Sequence, residues 1–457
     1  MKVRRLAPLL LALAAVAACA PVAPRAPQTR HLVLISIDGL RPEFYLDPAF
    51  DAPALRALVA EGSHARAAEG VFPTVTYPNH STIVTGVRPA RHGVLFNTLP
   101  AFDGHGRWYE EAADLRSPPL WAWARGAGLT TAAVSWPVTV GAPIDWLVAE
   151  RAYWARKDPL PELIAASTPG LFERLGVTPD AAMFKRVALW DTFLAATAAG
   201  IIREFRPNVL LLHLVQADFY QHQGGRTGAE VKPAVARVDA HIAALRRAID
   251  AAGIAARTTV IVTGDHGFQD VRDYVYPNRS LAQAGLRLCP RPGAWRATFE
   301  AAGGSGAVFV APPDDRETVA RAEEVLRRDA GGRYTVVTRA ELDALGAMPR
   351  AAFALEAAPG WALGNSCDRA FEPAVGGLVG THGFLPSRAT MATGLIVAGA
   401  GVRQGVALER VRLIDVAPTA ARLLGIATPP VEGRVLNEIL ENGARAGGRE
   451  PGSPRAQ

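Results

Sequence analysis

Five short apolar runs recur along the chain, and they constrain its fold more than any other feature of the sequence. The first, Leu32 to Ile37, is almost uninterrupted and is closed by Asp38-Gly39, which predicts a buried parallel strand. The other runs are residues 130–136, 208–218, 257–267 and 391–401. Helical patterns separate several of them, at residues 52–61, 181–205 and 229–252. This alternation predicts an α/β fold with a mostly parallel sheet.

The region from about 278 to 375 departs from this alternation. It contains the segment SGAVFVAPP, a helical pattern over residues 316–328 and the segment RYTVVTR, followed by a stretch rich in Gly and Pro. We expect a small α+β insertion here, packed beside the main sheet of a domain that spans residues 31–440. Residues 441–457 are rich in Gly, Arg and Pro, and this composition predicts a disordered tail.

The N-terminus has the layout of a secretory signal. Basic residues precede an apolar stretch at 6–16, which is too short to predict a membrane span. The tetrapeptide VAAC also resembles a bacterial lipobox, which predicts a signal over residues 1–18, a lipid on Cys19 and a linker over 19–30. The alternative is cleavage after an A-x-A-like site, with Cys19 incidental. Both of these alternatives predict that the protein is exported. It would be either a lipoprotein on the periplasmic side of the outer membrane or a soluble periplasmic or secreted protein.

The charge balance does not indicate nucleic-acid binding. The formal net charge is +6 and the pI is near 9.5, but the arginines are scattered and do not form the clusters that nucleic acids require. Cleavage before Cys19 would remove three positive charges and lower the net charge to +3. We therefore expect no nucleic-acid recognition, and membrane contact only through a lipid on Cys19.

Two further cysteines, Cys289 and Cys367, lie in the main domain. In an exported protein, two thiols favour a disulfide, and the alternative is a pair of buried free thiols. Neither cysteine lies in a C-x-x-C motif, so a thiolate zinc site is not expected.

Carboxylates and histidines gather around the ends of the predicted strands. Four of them, Asp38, Asp218, Asp265 and His266, end three predicted parallel strands. His222 is four residues beyond Asp218, and His382 lies just upstream of the last predicted strand. Taken singly, each has an ordinary alternative, a turn for an Asp-Gly pair or a surface position for a histidine. Because parallel strands end at one edge of a sheet, we expect the group to converge. Three Asp and three His without Cys suit two metal ions, and they fit Zn²⁺ better than Mn²⁺ or Fe.

The segment FPTVTYPNHSTIVTG, residues 72–86, predicts a loop that runs into a helix. Pro78 and Asn79 indicate the start of the helix, which places Thr76 at or just before its N-terminus. Free N–H groups and the helix dipole there stabilise a developing negative charge. Thr76 is therefore a candidate nucleophile, and the alternative is that it only caps the helix.

These motifs occur in an order that resembles the nucleotide pyrophosphatase/phosphodiesterase family of the alkaline phosphatase superfamily. They are Asp38-Gly39, PTVTYPNHSTIVTG, Asp218-x-x-x-His222, GDHG and THGF. The segments VRPARHGVLFN and LIDVAPTAARLLGI extend the resemblance over about residues 31 to 440. It implies a three-layer αβα sandwich around a central, mostly parallel sheet, with the small α+β insertion as an addition.

The resemblance also implies two Zn²⁺ per chain and a role for each site residue. One zinc would be held by Asp38, Asp265 and His266 with Thr76 as a further ligand, and the other by Asp218, His222 and His382. Thr76 would attack phosphorus to give a covalent phosphothreonine, and Asn97 would donate to a phosphoryl oxygen. The remaining histidines, His80 and His213 among them, are interpreted as structural.

The expected substrate is a small phosphodiester or pyrophosphate, with nucleotide-like molecules favoured. A phosphomonoesterase or a phosphonate hydrolase is the alternative. Threonine-dependent monoesterases resembling this chain carry a Lys and an Arg after the asparagine, whereas residues 132–144 here carry no charge. A sulfatase is not expected, because neither main-domain cysteine lies in a C-x-P-x-R motif. A non-enzymatic, lipid-anchored binding protein would be expected to lack some ligands, and all six are present. Phe219 and Tyr220 between two ligands depart from the family pattern and leave the leaving group open.

Overall fold

The computed structural model describes residues 29–100, 106–289 and 295–441. The predicted signal over residues 1–18, Cys19, the linker as far as residue 28 and the tail from residue 442 lie outside the described residues. Within the described ranges, no helix combines the length and the apolar character needed to cross a membrane.

In chain order, the strands of the described ranges are β1 (His31–Ile37), β2 (Gly62–Glu69), β3 (Thr131–Val134), β4 (Trp146–Val148), β5 (Val209–Leu214), β6 (Thr258–Thr263), β7 (Gln269–Val275), β8 (Ala297–Ala301), β9 (Ser305–Val310), β10 (Tyr334–Val337), β11 (Phe353–Ala357), β12 (Gly360–Leu363), β13 (Phe371–Pro373), β14 (Val379–Thr381), β15 (Thr393–Gly399), β16 (Val406–Leu408) and β17 (Val411–Arg412).

The α-helices of the same ranges are, again in chain order, α1 (Glu43–Leu46), α2 (Pro53–Glu61), α3 (Thr76–Thr85), α4 (Pro89–His92), α5 (Leu120–Gly126), α6 (Pro159–Ala165), α7 (Leu171–Leu175), α8 (Val187–Phe205), α9 (Gln216–Gly224), α10 (Val231–Ala251), α11 (Pro277–Gln283), α12 (Arg316–Asp329), α13 (Arg339–Leu345) and α14 (Val416–Leu424).

The main sheet has the strand order β16-β2-β15-β6-β1-β5-β3-β4, with β17 beside β2. Strands β6, β1, β5, β3 and β4 are parallel, and β15 runs antiparallel between β6 and β2. Strand β1 pairs with β5 and β6, and all three are buried almost throughout. The parallel pairing confirms the predicted sheet. The sequences of these strands are continuous apolar runs because both faces of each strand are covered.

Helices cover both faces of this sheet. Alternate side chains of β1 enter opposite cores, with Val33 and Ile35 on one side and Leu32 and Leu34 on the other, because successive strand side chains point to opposite faces. The first core is closed by α2, α8 and α10, and the second by α3, α5 and α14. The three-layer αβα arrangement is therefore confirmed.

Two element boundaries differ from the sequence prediction. The helix predicted from residue 181 begins at Val187, because Arg186 is extended and a separate 3₁₀ turn covers Ala181–Lys185. The run predicted as a strand as far as Asp218 ends at Leu214, and α9 begins at Gln216. Asp218 therefore lies in the first turn of a helix and not at the end of a strand.

The segment between β6 and β15 forms two smaller sheets. One has the order β10-β11-β9-β8, and the other has the order β12-β7-β13 with β14 beside β7. Helix α12 packs on a third core that both sheets share. A disulfide joins Cys289 and Cys367, which decides between the two states that the sequence left open. This body borders the main sheet at the edge where the parallel strands end, since β14 leads directly into His382.

Candidate metal centre

The six predicted ligands converge at the carboxyl edge of the main sheet. Asp38 directly follows β1, and Asp265 and His266 follow β6 by two and three residues. Asp218 and His222 lie one turn apart on α9, so both side chains project from the same face of that helix. His382 follows β14 and reaches the same point from the smaller sheets.

Ligand atoms from these residues form two overlapping trios, in each of which all atoms lie within 4.8 Å of one another. One trio is Asp218, His222 and His382, and the other is Asp38, Asp218 and His266. Asp265 lies against the second trio, with its Oδ2 atom 3.2 Å from Nε2 of His266. The structure thus brings all six side chains together, with Asp218 between the two groups.

The three histidines of the cluster share one orientation. Each places Nδ1 against a main-chain carbonyl, at 2.9 Å for His222 and Gly380, 3.1 Å for His382 and Thr74, and 3.2 Å for His266 and its neighbour Gly267. A carbonyl oxygen can only accept, so Nδ1 carries the proton. The lone pair of Nε2 is then directed into the cluster, as in metal-binding histidines.

Contacts inside the cluster have the spacing of ligands around one cation. The Nε2 atom of His266 is 3.3 Å from Oδ1 of Asp38 and 3.2 Å from Oδ2 of Asp265. Nε2 of His222 is 3.4 Å from Oδ1 of Asp218 and 3.1 Å from Nε2 of His382. Tetrahedral ligands at 2.0–2.1 Å from Zn²⁺ lie about 3.3 Å apart. The donor set and its spacing therefore fit Zn²⁺.

Several of these atoms are buried without a hydrogen-bond partner among the described residues. They are Oδ1 of Asp38, Oδ1 of Asp218, Oδ2 of Asp265 and Nε2 of His266. A buried polar atom left unsatisfied costs about 1–3 kcal/mol, and more when the group is charged. Four such atoms in one place indicate that a cation completes the site.

Electrostatics supports the same conclusion. Burial, followed by the negative charges of Asp218 and Asp265, raises the pKa of Asp38 well above its ordinary value. Burial and the neighbouring His266 and His222 hold the pKa of His382 well below its ordinary value. Against the effect of burial, the carboxylate of Asp218 raises the pKa of His222, because its negative charge favours the protonated imidazole. A divalent cation bound here would relieve the repulsion at Asp38 and would bind the neutral imidazole of His382.

Thr76 is the first residue of α3. The chain around it touches the cluster, because the Thr74 carbonyl accepts from His382, and His80, which bonds to the Thr76 carbonyl, has Nδ1 at 3.6 Å from Oδ2 of Asp265. Val75 is the N-cap residue in extended geometry, and its own side chain makes no capping hydrogen bond. The predicted helix start is confirmed, two residues before Pro78, and the alternative that Thr76 caps the helix is not observed. Within the described residues, the Thr76 hydroxyl makes no hydrogen bond that would compete with a substrate or a metal. The N-terminal N–H groups of the helix are close to it, which favours negative charge.

Asn97 is held by the start of the same helix. Its side-chain oxygen accepts the N–H of Tyr77 at 3.0 Å, which leaves the amide NH₂ group available as a donor. Asn97 lines a cavity of about 310 Å³ together with His222 and His382. Ala301, the last residue of β8, and the two residues that follow it also line that cavity. Asn97 is therefore placed to donate to a group bound beside the cluster.

Sequence reasoning missed several neighbours of the site. His213, a lone polar residue in the apolar run of β5, has Nε2 at 3.2 Å from Oδ2 of Asp38. His80 donates Nδ1–H to the Thr76 carbonyl at 2.8 Å, and the Asn79 side chain bonds to three main-chain groups of the loop before α3. Burial lowers the pKa of His213 to about 4 and that of His80 to about 3, so both are neutral. A polar residue inside an apolar strand is the signal that could have identified His213.

Comparison with solved structures identifies the fold. The human ectonucleotide pyrophosphatase/phosphodiesterase 5 structure superposes with a TM-score of 0.66 at 19% identity, over 90% of this chain and 99% of that one. At this level of identity the likeness shows the fold, which is that of the alkaline phosphatase-like proteins. The sequence model described as type I phosphodiesterase/nucleotide pyrophosphatase matches residues 32–384. The chain belongs to that family.

Curated relatives match over part of their length. Human ectonucleotide pyrophosphatase/phosphodiesterase family member 1 is 24% identical over 269 residues, which is 56% of this chain and 25% of the relative. Venom phosphodiesterase 2 of Crotalus adamanteus is 24% identical over 52% of this chain and 27% of its own length. A bis(5'-adenosyl)-triphosphatase of Xenopus laevis is 31% identical over 24% of this chain and 25% of its own. The chain thus spans about a quarter of the length of these relatives.

Proposed function

We propose that the protein is a zinc-dependent hydrolase that cleaves phosphodiester or pyrophosphate bonds in small, nucleotide-like substrates, with Thr76 as the nucleophile. One observation carries the proposal. A threonine whose hydroxyl makes no hydrogen bond among the described residues begins a helix, and the loop before that helix bonds to His382 of a buried Asp/His cluster whose ligand atoms lack partners. Membership of the type I phosphodiesterase/nucleotide pyrophosphatase family supports the reaction class.

Two zinc ions would share the seven side chains of the cluster. We assign Asp38, Asp265, His266 and Thr76 to one ion, and Asp218, His222 and His382 to the other. When bound, Zn²⁺ would supply positive charge that favours the ionised threonine oxygen and the phosphoryl oxygens. The overlap of the two trios at Asp218 supports two ions close together, each with its own histidine donors.

The side chains of the protein account for both halves of the reaction. Thr76 Oγ loses its proton and attacks phosphorus, so the P–Oγ bond forms while the P–O bond to the leaving group breaks. The leaving oxygen departs with that electron pair and takes up a proton, as the alcohol or phosphate product. Water then attacks the phosphothreonine, breaks the P–Oγ bond and returns a proton to Thr76. Asn97 donates to a phosphoryl oxygen in both halves, a contribution of about 2.7–4 kcal/mol by analogy with other oxyanion donors.

The lining of the cavity favours a diester over a monoester. None of its described lining residues is a lysine or an arginine. A monoester dianion carries one more negative charge than a diester and needs an additional cation beside the phosphoryl group. Residues 132–144, which follow α5, carry no charged side chain. The next arginine in the chain is Arg151. These observations support the diesterase over the phosphomonoesterase alternative.

Export remains part of the proposal. The disulfide between Cys289 and Cys367 is the bond type of oxidising compartments, which suits a periplasmic or secreted protein. The relatives of this chain include proteins whose names describe ectoenzymes. We propose that any membrane attachment is through a lipid on Cys19, with the domain itself outside the bilayer.

Metal removal tests the proposal directly. Exhaustive chelation is expected to abolish hydrolysis of a bis-aryl phosphodiester, and Zn²⁺ alone is expected to restore it. The same preparation is then compared on monoesters, diesters, pyrophosphates and phosphonates by kcat/KM, with the highest value expected for a diester or a pyrophosphate. Full activity in the chelated, metal-free protein would contradict the metal assignment, and a monoester preference would contradict the substrate class.

A further inference from the structure

Helix α9, which carries Asp218 and His222, has no cap of its own. Val215 precedes it, and its apolar side chain cannot accept a hydrogen bond. Asp191 of the neighbouring helix α8 instead accepts hydrogen bonds from the main-chain N–H groups at the start of α9. Its carboxylate accepts from the N–H of Val215 at 2.9 Å and from the N–H of Gln216 at 3.1 Å. Asp191 is completely buried, so water does not compete for these bonds.

A second set of contacts joins this cap to α10. The side chain of Gln216 donates to Asp191 at 3.0 Å and accepts from Nε of Arg237 at 2.9 Å. The Arg237 guanidinium lies 5.3 Å above the ring of Tyr220, which is on α9 between the two ligands. Asp191, Gln216 and Arg237 thus form a clamp that fixes α9 against two longer helices.

We propose that Asp191 is a positioning residue of the metal centre, one that sets where Asp218 and His222 point without touching a metal or the substrate. The inference rests on the proposed zinc function. Asp218 is two residues beyond Gln216, so a tilt of the first turn moves its carboxylate directly. Partners that orient ligands in this way change metal affinity by about 10–100-fold when they are removed.

A matched control exists in the same chain. Asp239 of α10 is also buried, and its carboxylate accepts from the N–H groups of Ala54 and Leu55 at 2.9 and 2.8 Å, at the start of α2. It performs the same cap on a helix that carries none of the proposed ligands. Asp191→Asn and Asp239→Asn therefore remove comparable cap charges, but only the first acts on the metal-binding helix.

The experiment titrates Zn²⁺ alone into the metal-stripped full chain, in competition with a chromophoric chelator. Asp191→Asn is expected to weaken one of the two zinc-binding steps about 10–100-fold and to change the other far less. Asp239→Asn is expected to leave both steps as in the unaltered protein. Equal zinc affinities in folded Asp191→Asn and the unaltered protein would overturn the proposal, whereas an unaltered protein that binds no zinc would overturn the proposed function itself.

The loss of the Asp191 charge could by itself weaken zinc binding in Asp191→Asn. The variant Asp191→Glu separates this explanation from a positioning role. Glutamate keeps the charge but moves the carboxylate by one methylene, so positioning predicts that the same single zinc step is weakened. If Asp191→Glu binds both zinc ions as the unaltered protein does, charge alone explains the asparagine variant and the proposal is wrong. Should the Asp191 variants not fold, Arg237→Met removes the outer arm of the clamp and is expected to weaken that step about two- to tenfold. An unchanged step in Arg237→Met would then overturn the clamp.

Discussion

Tyr77 follows the proposed nucleophile in α3, and its hydroxyl donates to the carboxylate of Glu150. Both side chains are buried. Burial raises the pKa of Glu150 to about 8, although the bond from Tyr77 lowers it, and the nearby Glu110 adds to the rise. At neutral pH, Glu150 is therefore protonated in the folded protein, whereas it is ionised in the unfolded chain.

This difference predicts a pH dependence of stability. Between about pH 4.5 and pH 8 the folded protein binds the proton of Glu150 and the unfolded chain does not, so Glu150 lowers the free energy of unfolding progressively as the pH rises. Glu150→Gln is neutral throughout and is expected to be more stable than the unaltered protein by a few kcal/mol at pH 8.5, since one pKa unit corresponds to about 1.4 kcal/mol.

Denaturant unfolding of the two metal-free proteins at pH 5 and pH 8.5 measures the effect. The difference in stability between the proteins is expected to be small at pH 5 and large at pH 8.5. A difference that is the same at both values would show that Glu150 is ionised when folded. The proposed ligands titrate alike in both proteins, so their contribution cancels from the comparison.

Single residues of the site differ in how far the sequence reveals them. Asp38, Asp265 and His266 lie within three residues of the end of an apolar strand, so a local pattern identifies them. The partners that orient the histidines are distant in the sequence. His382, for example, donates to the carbonyl of Thr74, which lies 308 positions earlier. Asp191 could not be recognised either, because nothing in the α8 sequence indicates that its carboxylate caps another helix.

At the level of elements, the turn after β8 is packed without free space against the loop that carries His382. Gly383 has φ +91°, and a Cβ atom there would lie 1.7 Å from the carbonyl oxygen of Ala302. A Cβ atom on Gly303 would lie 2.6 Å from the carbonyl oxygen of His382. Glycine is required at both positions because the opposing atoms belong to the main chain and cannot rotate away.

Gly383→Ala is therefore expected to displace His382 and to lower the free energy of unfolding by more than about 2 kcal/mol, through contact and backbone strain together. Gly376→Ala is the control, since Gly376 has φ +84° and no atom lies within 4 Å of its Cβ position. Gly376→Ala therefore introduces backbone strain from the positive φ but no steric contact, and this variant is expected to bind zinc as the unaltered protein does. Denaturant unfolding and zinc titration of both variants measure the difference, and equal effects would contradict the role of the contact.

The elements that could be predicted are those whose pattern is local. Strands β1 and β6 are continuous apolar runs because both of their faces are covered, and α10 shows a clear helical period. The start of α9 was predicted wrongly, because the apolar run continues to Val215 and the bonds that begin the helix come from Asp191. Tertiary hydrogen bonds, and not local preference, end the strand there.

At the level of the whole molecule, the smaller sheets supply part of the site while having a core of their own. The disulfide between Cys289 and Cys367 closes a segment of 78 positions within that body. All six predicted Asp and His ligands lie before Cys289 or after Cys367. The bond therefore stabilises the body that carries the cavity wall, but it does not connect ligands to one another.

Replacement of both cysteines by serine is expected to lower the free energy of unfolding by about 2–5 kcal/mol, because the unfolded chain gains freedom. The zinc affinity of the folded variant is expected to stay unchanged. Denaturant unfolding and zinc titration measure both quantities, and reduction of the unaltered protein provides the control. A large loss of zinc affinity in the folded variant would show that the disulfide does position the site.

The central claim is that Thr76 attacks phosphorus beside a metal cluster that does not depend on its hydroxyl for assembly. The most direct measurement is the zinc content of Thr76→Ala together with its kcat/KM on a bis-aryl phosphodiester. We expect a zinc content equal to that of the unaltered protein and a loss of kcat/KM of at least about 10³-fold. Thr85→Ala, in the same helix with its hydroxyl bonded to the Ser81 carbonyl, is expected to retain activity. Turnover by zinc-loaded Thr76→Ala within about tenfold of the unaltered protein would contradict the account.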